Sequence, residues 1–491
     1  MREVIARQLR LGHADIGRLT FNPRSRDDIP QVLQGLQYIY VTDELREAVF
    51  AVLEKRVPAE VDASRGRPGM DLWNALVLAT LRVNLNWDYD RLLEMANQHR
   101  SIRQMLGHGF WDDDDEYKLQ TVKDNAALVD EASLQRINQL VVEAGHKLLK
   151  KSRAALSARC DSFVVESNIH YPTDINLLYD AVRCSVRTVA DWCEGHGDSR
   201  WRQWQYNLRQ VKKACRHAQK LKHSSSQDPD KQATRQQAIR DAHHTYLGLC
   251  AALLSKVEET VADLPLSLLD SRSGNDLQRW LGYGWHQVDL VRRRVLDGET
   301  IPHGDKIFSL FEDYSEWLSK GKAGVPVELG LNVCVMESAD GFILHHQVMQ
   351  HCPDSEIAVT MVKQAKALFP SLSACSFDKG FHSPANQREL AELLDRVVLP
   401  KKGRWSQADT ARETDPAFVQ ARRQHSAVES GINALEVHGL DYCPDRGLER
   451  FKRYVALAVV GRNLQKVGAI LQARALEALQ KDERRRQRQA A

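Results

Sequence analysis

The stretch Arg159-Cys160-Asp161-Ser162-Phe163-Val164-Val165-Glu166 places an acid inside a short apolar run. Its alternation predicts a β-strand on which Asp161 shares one face with Phe163 and Val165. A carboxylate on an otherwise apolar strand face is costly unless it is paired or binds a metal. We therefore expect a functional role for Asp161, on the first strand of a mixed sheet.

A second acid has the same setting far along the chain, in Ser373-Ala374-Cys375-Ser376-Phe377-Asp378-Lys379-Gly380. A third, Glu429, lies in the predicted helix His425-Ser426-Ala427-Val428-Glu429-Ser430-Gly431-Ile432-Asn433. Two-metal phosphoryl transfer uses Mg²⁺ ions about 3.5–4 Å apart to hold the attacking and leaving oxygens, and Mg²⁺ takes oxygen ligands. The pattern indicates Asp161, Asp378 and Glu429 as catalytic and metal-binding residues of a polynucleotidyl transferase.

The helix around Glu429 has two predicted faces. An acid shares one face with Arg, His and Asn, which suits a site for metal and phosphate, although a surface helix of ion pairs has the same pattern. The polar face consists of Arg422, His425, Glu429, Asn433 and Glu436, and the adjacent apolar face of Val428, Ile432 and Leu435.

The predicted elements define a fold class. They are a strand at 159–166, a long helical stretch, a hairpin of 327–336 and 342–348, a helix at 355–368, strands at 371–377 and 396–400 with a helix between them, and a last helix from about Phe418. Without the helical stretch, this is the element order of the ribonuclease H-like fold, in which the first and fourth strands are neighbours. We predict an α/β protein with a ribonuclease H-like mixed sheet and a large helical insertion between its first and second strands.

An all-helical segment is predicted ahead of the sheet. Three short helices are expected within residues 72–106, the first amphipathic and the second capped by Asp88. They fit a helix-turn-helix that reads DNA, and a helical dimerisation or packing domain fits the same spacing. Arg65 and Arg67, in the basic turn before these helices, are candidate DNA contacts.

Basic residues cluster between Arg200 and Lys222, with aromatic residues among them and no acid. Cations and aromatics together suit a phosphate backbone and an unstacked base, while a solvated helix face with buried tryptophans is the alternative. The candidate DNA contacts here and around the acids are Arg200, Trp201, Arg202, Trp204, Arg209, Lys212, Lys213, Lys379, Lys401, Lys402, Arg404, Arg422, Arg423, His425 and Asn433.

The 491 residues exceed what one hydrophobic core usually holds, so several domains are expected. A disordered basic tail is predicted at Arg484-Arg485-Arg486-Gln487-Arg488. The predicted divisions are an N-terminal helical DNA-binding domain at 1–150, a catalytic domain in two parts at 151–190 and 319–445, a helical insertion domain at 191–318, and a C-terminal helix with its tail at 446–491.

Composition limits the cellular setting. The net charge is only +3, so affinity for nucleic acid must come from local clusters of cations. The nine cysteines follow no metal-binding or redox spacing, which fits a reducing cytoplasm. No apolar run approaches the roughly 18–20 residues that span a bilayer, so no membrane association is expected.

With these residues in view, the chain resembles the DDE transposases of bacterial insertion sequences, most closely the ISNCY type. The resemblance extends from about residue 60 to residue 470. The stretches that carry it are Gly66-Arg67-Pro68-Gly69 to Leu106, Val164-Val165-Glu166-Ser167-Asn168-Ile169-His170-Tyr171-Pro172-Thr173-Asp174, Gly321-Lys322-Ala323 through Glu328-Leu329-Gly330, Asp378-Lys379-Gly380-Phe381-His382-Ser383 and His425-Ser426-Ala427-Val428-Glu429.

The resemblance implies that Asp161, Asp378 and Glu429 form the DDE triad. It also implies a requirement for Mg²⁺ or Mn²⁺ and action on double-stranded DNA, both the inverted repeats at element ends and the target. A homodimer or larger assembly is expected in the active complex, in the cytoplasm of a bacterium and on the nucleoid when bound to DNA.

One departure concerns the surroundings of Glu429. Related insertion-sequence families carry a Tyr, Arg, Glu, Lys signature, whereas here His425 stands four residues before Glu429 and Glu436 seven after it. Contacts to the DNA end are then expected from Arg422, Arg423 or the 401–404 loop. A domesticated or inactive DNA-binding descendant and a ribonuclease H-like nuclease without strand transfer are the alternatives, and the insertion and N-terminal domain favour a transposase because a simple nuclease needs neither.

Overall fold

The computed structural model describes residues 4–5, 13–56, 69–109, 116–151, 155–319 and 327–490. The predicted basic turn with Arg65 and Arg67 lies outside these residues. Within them, seven α-helices precede the first strand, namely α1 (Asp28–Val41), α2 (Asp43–Glu54), α3 (Leu72–Asn84), α4 (Tyr89–Gln98), α5 (Arg100–Met105), α6 (Leu119–Ala126) and α7 (Glu131–Leu148).

The three helices predicted within residues 72–106 are present as α3, α4 and α5. Asp88 caps α4 as predicted, because its Oδ1 accepts the backbone N–H of Arg91 at 2.7 Å. The predicted amphipathic character of α3 is wrong: all its residues except Asn74 are buried, since other helices pack around it. A surface role in this segment therefore falls to α4 and α5.

From residue 156 onward, the described residues form a seven-stranded mixed sheet. Its central path runs β2-β3-β1-β5-β6, β4 also pairs with β3, and β7 also pairs with β1. β3 is antiparallel to both β1 and β4, so the predicted hairpin is confirmed, and β5 is parallel to β1 and to β6. The chain is a mixed α/β protein, as predicted. The strands are β1 (Leu156–Ser167), β2 (Glu316–Ser319), β3 (Val327–Ser338), β4 (Ile343–Val348), β5 (Leu372–Phe377), β6 (Arg396–Val398) and β7 (Tyr442–Cys443).

The residues from Ile169 to Trp317 form a compact helical unit of their own. Val182 and Val186 of its first helix belong to the same buried core as Tyr246 and Leu254. The unit therefore begins earlier than the boundary at residue 191 that the sequence suggested. Its helices are α8 (Asp174–Gly195), α9 (Trp204–Lys220), α10 (Pro229–Ala262), α11 (Leu266–Leu269) and α12 (Arg272–Val291).

The described residues among 1–168 and 318–491 form the second compact unit, which holds the sheet apart from the first two residues of β2. From the end of β4 onward its described helices are α13 (Asp354–Leu368), α14 (Pro384–Leu393), α15 (Gln407–Thr414), α16 (Pro416–His425), α17 (Ala427–Leu435) and α18 (Leu448–Ala490). The predicted last helix of the site is thus two helices, α16 and α17, with Ser426 between them.

The C-terminal part of the chain contacts the N-terminal part, because helix α18 packs on α1, α3 and α7. Gly35 of α1 and Gly468 of α18 lie against backbone of the opposite helix, where a Cβ atom would overlap a carbonyl group. The N-terminal helices therefore share a compact unit with the sheet. The predicted disordered tail is wrong: the helix continues through it, and Glu483 accepts a 2.7 Å hydrogen bond from Arg24.

Candidate active site at the acidic edge of the sheet

Strand register brings the first two predicted acids to one edge of the sheet. Cys160 of β1 pairs with Phe377 of the parallel strand β5. Asp161 is the next residue of β1, Asp378 directly follows the end of β5, and neighbouring strands lie about 4.8 Å apart. The backbones of Asp161 and Asp378 therefore lie side by side, although the two residues are far apart in sequence.

Glu429 reaches the same neighbourhood from a helix. Val428, Ile432 and Leu435 are buried and α17 packs on β1, which confirms the predicted apolar face. Glu429 and Asn433, on the opposite face, are exposed. The amphipathic pattern therefore fixes which side of α17 faces away from the core, and Glu429 lies on that side.

The pKa of Asp161 reflects the acids that lie around it. The pKa of Asp161 is raised from 3.8 to about 6. Burial is the largest cause, and the nearby charges of Asp378, Asp354 and Glu429 also raise it. The backbone N–H of Ser162 donates to Asp161 Oδ1 at 2.8 Å and acts in the opposite direction. Three nearby acids therefore concentrate negative charge around Asp161.

Asp354 is a fourth acid that the sequence analysis missed. It begins α13 and accepts a 2.7 Å hydrogen bond from the hydroxyl of Ser162 on β1. A Cβ atom on Gly380 would lie 3.0 Å from Asp354 Oδ2, so this carboxylate also contacts the segment that follows Asp378. An acid in the first turn of a helix is common for reasons of the helix dipole alone, which is why its position carried no signal.

His425 holds α16 against the strand that leads to Asp378. Its Nδ1 and the Oγ of Ser376 are 2.9 Å apart. Its Nε2 is buried, and no described group bonds to it. Burial lowers the pKa of His425, while the charges of Asp378 and Glu429 act to raise it. The structure therefore corrects the predicted DNA contact: this imidazole packs between helix and strand.

The other predicted contacts around the site divide into exposed and engaged side chains. Lys401 forms an ion pair with Asp409, and Arg422 Nη1 lies 3.6 Å from Glu413 Oε2. Lys401, a predicted DNA contact, thus pairs with an acid and anchors its loop. The exposed members are Lys379, Lys402, Arg404, Arg423 and Asn433, together with Arg422, which is exposed despite its ion pair.

Of the aromatic residues among the cations of the helical unit, Trp201 and Trp204 belong to or pack against its core, whereas Tyr206 is exposed. Trp201 is 2% exposed, and its Nε1 donates to Thr260 Oγ1 at 3.0 Å. Trp204 packs against the core of the unit. Arg200 is engaged in ion pairs with Asp198 and Asp263. The prediction that Trp201 stacks on a base is therefore wrong, because that ring is part of the core.

The cations of α9 form an exposed stripe, which we call the α9 stripe: Arg209, Lys213, Arg216 and Lys220. Their intervals of four, three and four residues place them on one helix face. In the part of the chain that the structure describes, none of the four pairs with an acid. Arg202 is likewise exposed, and the ammonium of Lys212 lies 5.8 Å from the ring centroid of Tyr179. Such a stripe suits polyanion binding.

The acids at this edge of the sheet are possible ligands of a metal ion. Among the described residues, no three His, Cys, Asp or Glu side chains are arranged so that they could hold one ion. Mg²⁺ in enzymes usually has only one or two protein carboxylates and keeps several waters, so pairs of these acids suffice. The acids gathered around Asp161 fit a cation at this edge.

Comparisons of the chain with family models, with curated proteins and with solved structures find no match. No described helix combines the length and the apolarity needed to cross a bilayer.

Proposed function

We propose that this chain is a DNA transposase that binds the terminal inverted repeats of an insertion sequence and catalyses strand cleavage and strand transfer. The observation that carries the proposal is the register of β1 and β5, which makes Asp161 and Asp378 neighbours. The charge of Glu429 contributes to the raised pKa of Asp161, which supports the same assignment. Asp161, Asp378 and Glu429 are the proposed catalytic residues.

The strand order supports a ribonuclease H-like fold for the sheet. Apart from the short strands β2 and β7, the order is β4-β3-β1-β5-β6, with β3 antiparallel and β5 parallel to β1. Counted along the chain, the first and fourth of these five strands are neighbours, as in that fold. The proposed site lies where they meet.

Asp161, Asp378 and Glu429 would hold Mg²⁺ or Mn²⁺, with Asp354 close enough to take part. When bound, such ions polarise the scissile phosphate and lower the pKa of an attacking water. The hydrogen bond between Ser376 and His425 ties α16, which leads into α17 and Glu429, to the strand that leads to Asp378. The exposed cations Lys379 and Arg423 would bind phosphates on either side of the cut.

In the proposed reaction, water first cleaves a phosphodiester at the element end and releases a 3′-hydroxyl. That hydroxyl then attacks a phosphodiester of the target DNA in line, and no covalent enzyme intermediate forms. The acids at the sheet edge act on both steps, because each step has a phosphate as electrophile and an oxygen as leaving group.

Binding of the element ends is proposed for the N-terminal helices and for the α9 stripe. Because α3 is buried, α4 and α5 would carry the N-terminal contact, and Arg91 and Arg100 are exposed there. Paired element ends imply a homodimer or larger assembly, and the proposed location is the bacterial cytoplasm, on the nucleoid when DNA is bound.

A DNA-binding protein that does not cut is the second candidate. The absence of a ready three-ligand metal group among the described residues favours it. It shares the cationic surfaces with the transposase proposal and differs only at the acidic edge, so one experiment separates the two.

The test is cleavage of a labelled duplex that carries the sequence flanking the gene, with Mg²⁺ or Mn²⁺. Asp161→Asn, Asp378→Asn and Glu429→Gln should each reduce the rate by about 1,000-fold, since metal-assisted charge stabilisation contributes several kcal/mol. Glu392→Gln, an exposed acid of α14, is the matched control and should cut normally. Wild-type protein that binds this DNA but does not cut it with either metal would support the second candidate.

A further inference from the structure

The loop between β6 and α15 is held firmly at both ends. At its start, the Lys401 backbone N–H donates to Glu413 and the Lys401 ammonium pairs with Asp409. At its end, Ser406 donates to Asp409 Oδ2 from its backbone N–H at 2.9 Å and from its hydroxyl at 2.6 Å. Both ends are therefore bound to the same helix, α15.

The anchor itself is buried and charged. The Glu413 side chain has no exposed surface, and it lies within ion-pair distance of Arg412 and Arg422. Gly403 has a φ of +89°, a left-handed conformation that side chains other than glycine rarely adopt. The four residues between the anchors, which we call the 402–405 loop, are thus set in a defined turn.

The 402–405 loop presents two cations and an indole to solvent. Lys402 and Arg404 are exposed, and neither pairs with an acid in the described part of the chain. Trp405 is 40% exposed, whereas Trp201 and Trp73 are 2% and 0% exposed. A large aromatic ring left in water on an anchored loop suits contact with a partner, because its burial is favourable and the loop has little entropy left to lose.

The loop leaves the sheet at the same edge as the acids. Ser376 of β5 pairs with Val398 of the parallel strand β6. Asp378 and Pro400 each lie two residues farther along the chain, just past the ends of these two strands. Four residues after Asp378, the pKa of His382 is lowered by burial and by the charges of Arg412 and Lys401 of the loop anchor, while Asp409 and Glu413 act to raise it. The 402–405 loop therefore starts beside the segment that follows Asp378.

We propose that Trp405 stacks on an unpaired base of the DNA strand that enters the acidic edge, and that Lys402 and Arg404 bind the phosphates beside that base. The inference rests on the proposed function for the identity of the substrate as DNA. Aromatic rings stack on any exposed base, and Lys and Arg neutralise the backbone. A base within an intact duplex is already stacked, so the ring requires one that is flipped or mismatched.

The experiment uses the full chain in a chelator, so that binding is measured without cleavage. Two duplexes of the same length are compared, one fully paired and one with a single unpaired 2-aminopurine. Trp405→Ala should weaken binding of the second duplex by roughly 5- to 100-fold, the range expected for the loss of one stacked base. It should also abolish the quenching of 2-aminopurine fluorescence, while affinity for the paired duplex stays within about twofold of wild type.

Three variants sharpen the test. Trp405→Phe keeps a ring and should retain most of the preference for the unpaired base. Lys402→Gln with Arg404→Gln should weaken both duplexes alike and reduce the salt dependence of binding. Tyr206→Ala, which removes an exposed aromatic of the helical unit, is the control and should not change the preference.

The proposal is overturned if Trp405→Ala leaves the preference unchanged, weakens both duplexes alike, or if wild type binds neither duplex. It is also overturned if Trp405→Ala converts a dimer into monomers, since the ring would then serve a second copy of the chain. A protein that quenches 2-aminopurine through Trp405 but never cuts DNA would support the loop and contradict the proposed transposase activity. A protein that cuts DNA, but in which Trp405 has no role, would support the transposase activity and contradict the proposed role of the loop.

Discussion

The acidic edge of the sheet and the α9 stripe each collect charge of one sign, but they hold it differently. Asp161 sits on a paired strand where burial raises its pKa to about 6. The stripe cations project from a helix surface into solvent. Charge held on a rigid, partly buried strand costs free energy and is placed accurately, whereas surface charge costs little and is screened by salt within about 10 Å. The first arrangement suits chemistry and the second suits attraction of a polyanion.

The largest expected effect separates the two roles. Asp378→Asn should reduce single-turnover DNA cleavage by about 1,000-fold, because a ligand to the proposed metal is lost. DNA affinity, measured by gel shift, should stay the same, since attraction comes from other surfaces. Asp395→Asn, an exposed acid beyond α14, is the control. A parallel loss of binding and cleavage in Asp378→Asn would show that the two roles are not separate.

The second effect concerns stability and pH in the presence of a chelator. Because the pKa of Asp161 is raised from 3.8 to about 6, the folded state binds more protons than the unfolded state between these values. The free energy of unfolding of the wild type should therefore fall as the pH rises through this interval. Asp161→Asn removes the penalty and should raise the free energy of unfolding at pH 7.5 by about 2–3 kcal/mol.

Thermal and denaturant melts at pH 4.5 and pH 7.5 check this effect. The gain from Asp161→Asn should be small at the lower pH and full at the higher one. Addition of Mg²⁺ should stabilise the wild type and not the variant, because only the wild type retains the proposed ligand. An equal gain in the free energy of unfolding at both pH values would mean that ionisation of Asp161 does not destabilise the folded protein.

A third, smaller effect compares two glycines. A Cβ atom on Gly431, two residues after Glu429, would overlap the carboxylate of Glu337, which is 8% exposed, with its Cδ at 2.9 Å. Gly431→Ala should destabilise the protein by about 1–3 kcal/mol. Gly282→Ala, in α12 of the helical unit, meets open space and should stabilise by about 0.5–1 kcal/mol. If both changes were neutral in denaturant melts, α17 would not be tightly fitted to the sheet.

The smallest effect tests the α9 stripe by its salt dependence. Each of Arg209→Gln and Lys213→Gln should lower the slope of log affinity against log salt by about one. Arg200→Gln is the matched control, because that guanidinium already has Asp198 and Asp263 as partners, and it should change the slope less. Slopes that do not distinguish the three variants would contradict a phosphate-binding role for the stripe.

The core of the account could be predicted from local patterns. Alternation over 159–166 and 371–377 predicted β1 and β5, and helical spacing around Glu429 predicted its outward face, because burial of one face dictates both periods. That Asp161 and Asp378 lie side by side required only the order of the elements. The register that makes them neighbours is seen in the pairing of Cys160 with Phe377.

The rest depends on tertiary contacts that local patterns do not encode. Asp354 resembles any acid at the start of a helix until Ser162 and Gly380 are placed beside it. Trp201 lies at the start of a basic stretch in sequence, yet its ring packs in a core that includes residues of α8 and α10. The short strands β2 and β7 owe their existence to pairing with β3 and β1, and two to four residues carry too little periodicity to be recognised.

The most direct test of the central claim is a titration with Mn²⁺ followed by electron paramagnetic resonance, without DNA and without any activity readout. The account predicts that wild type binds Mn²⁺, that Asp161→Asn and Asp378→Asn each lose most of this binding, and that Glu392→Gln retains it. Binding that is absent in the wild type, or unchanged in both Asp→Asn variants, would contradict the assignment of the acidic edge as a metal-dependent active site.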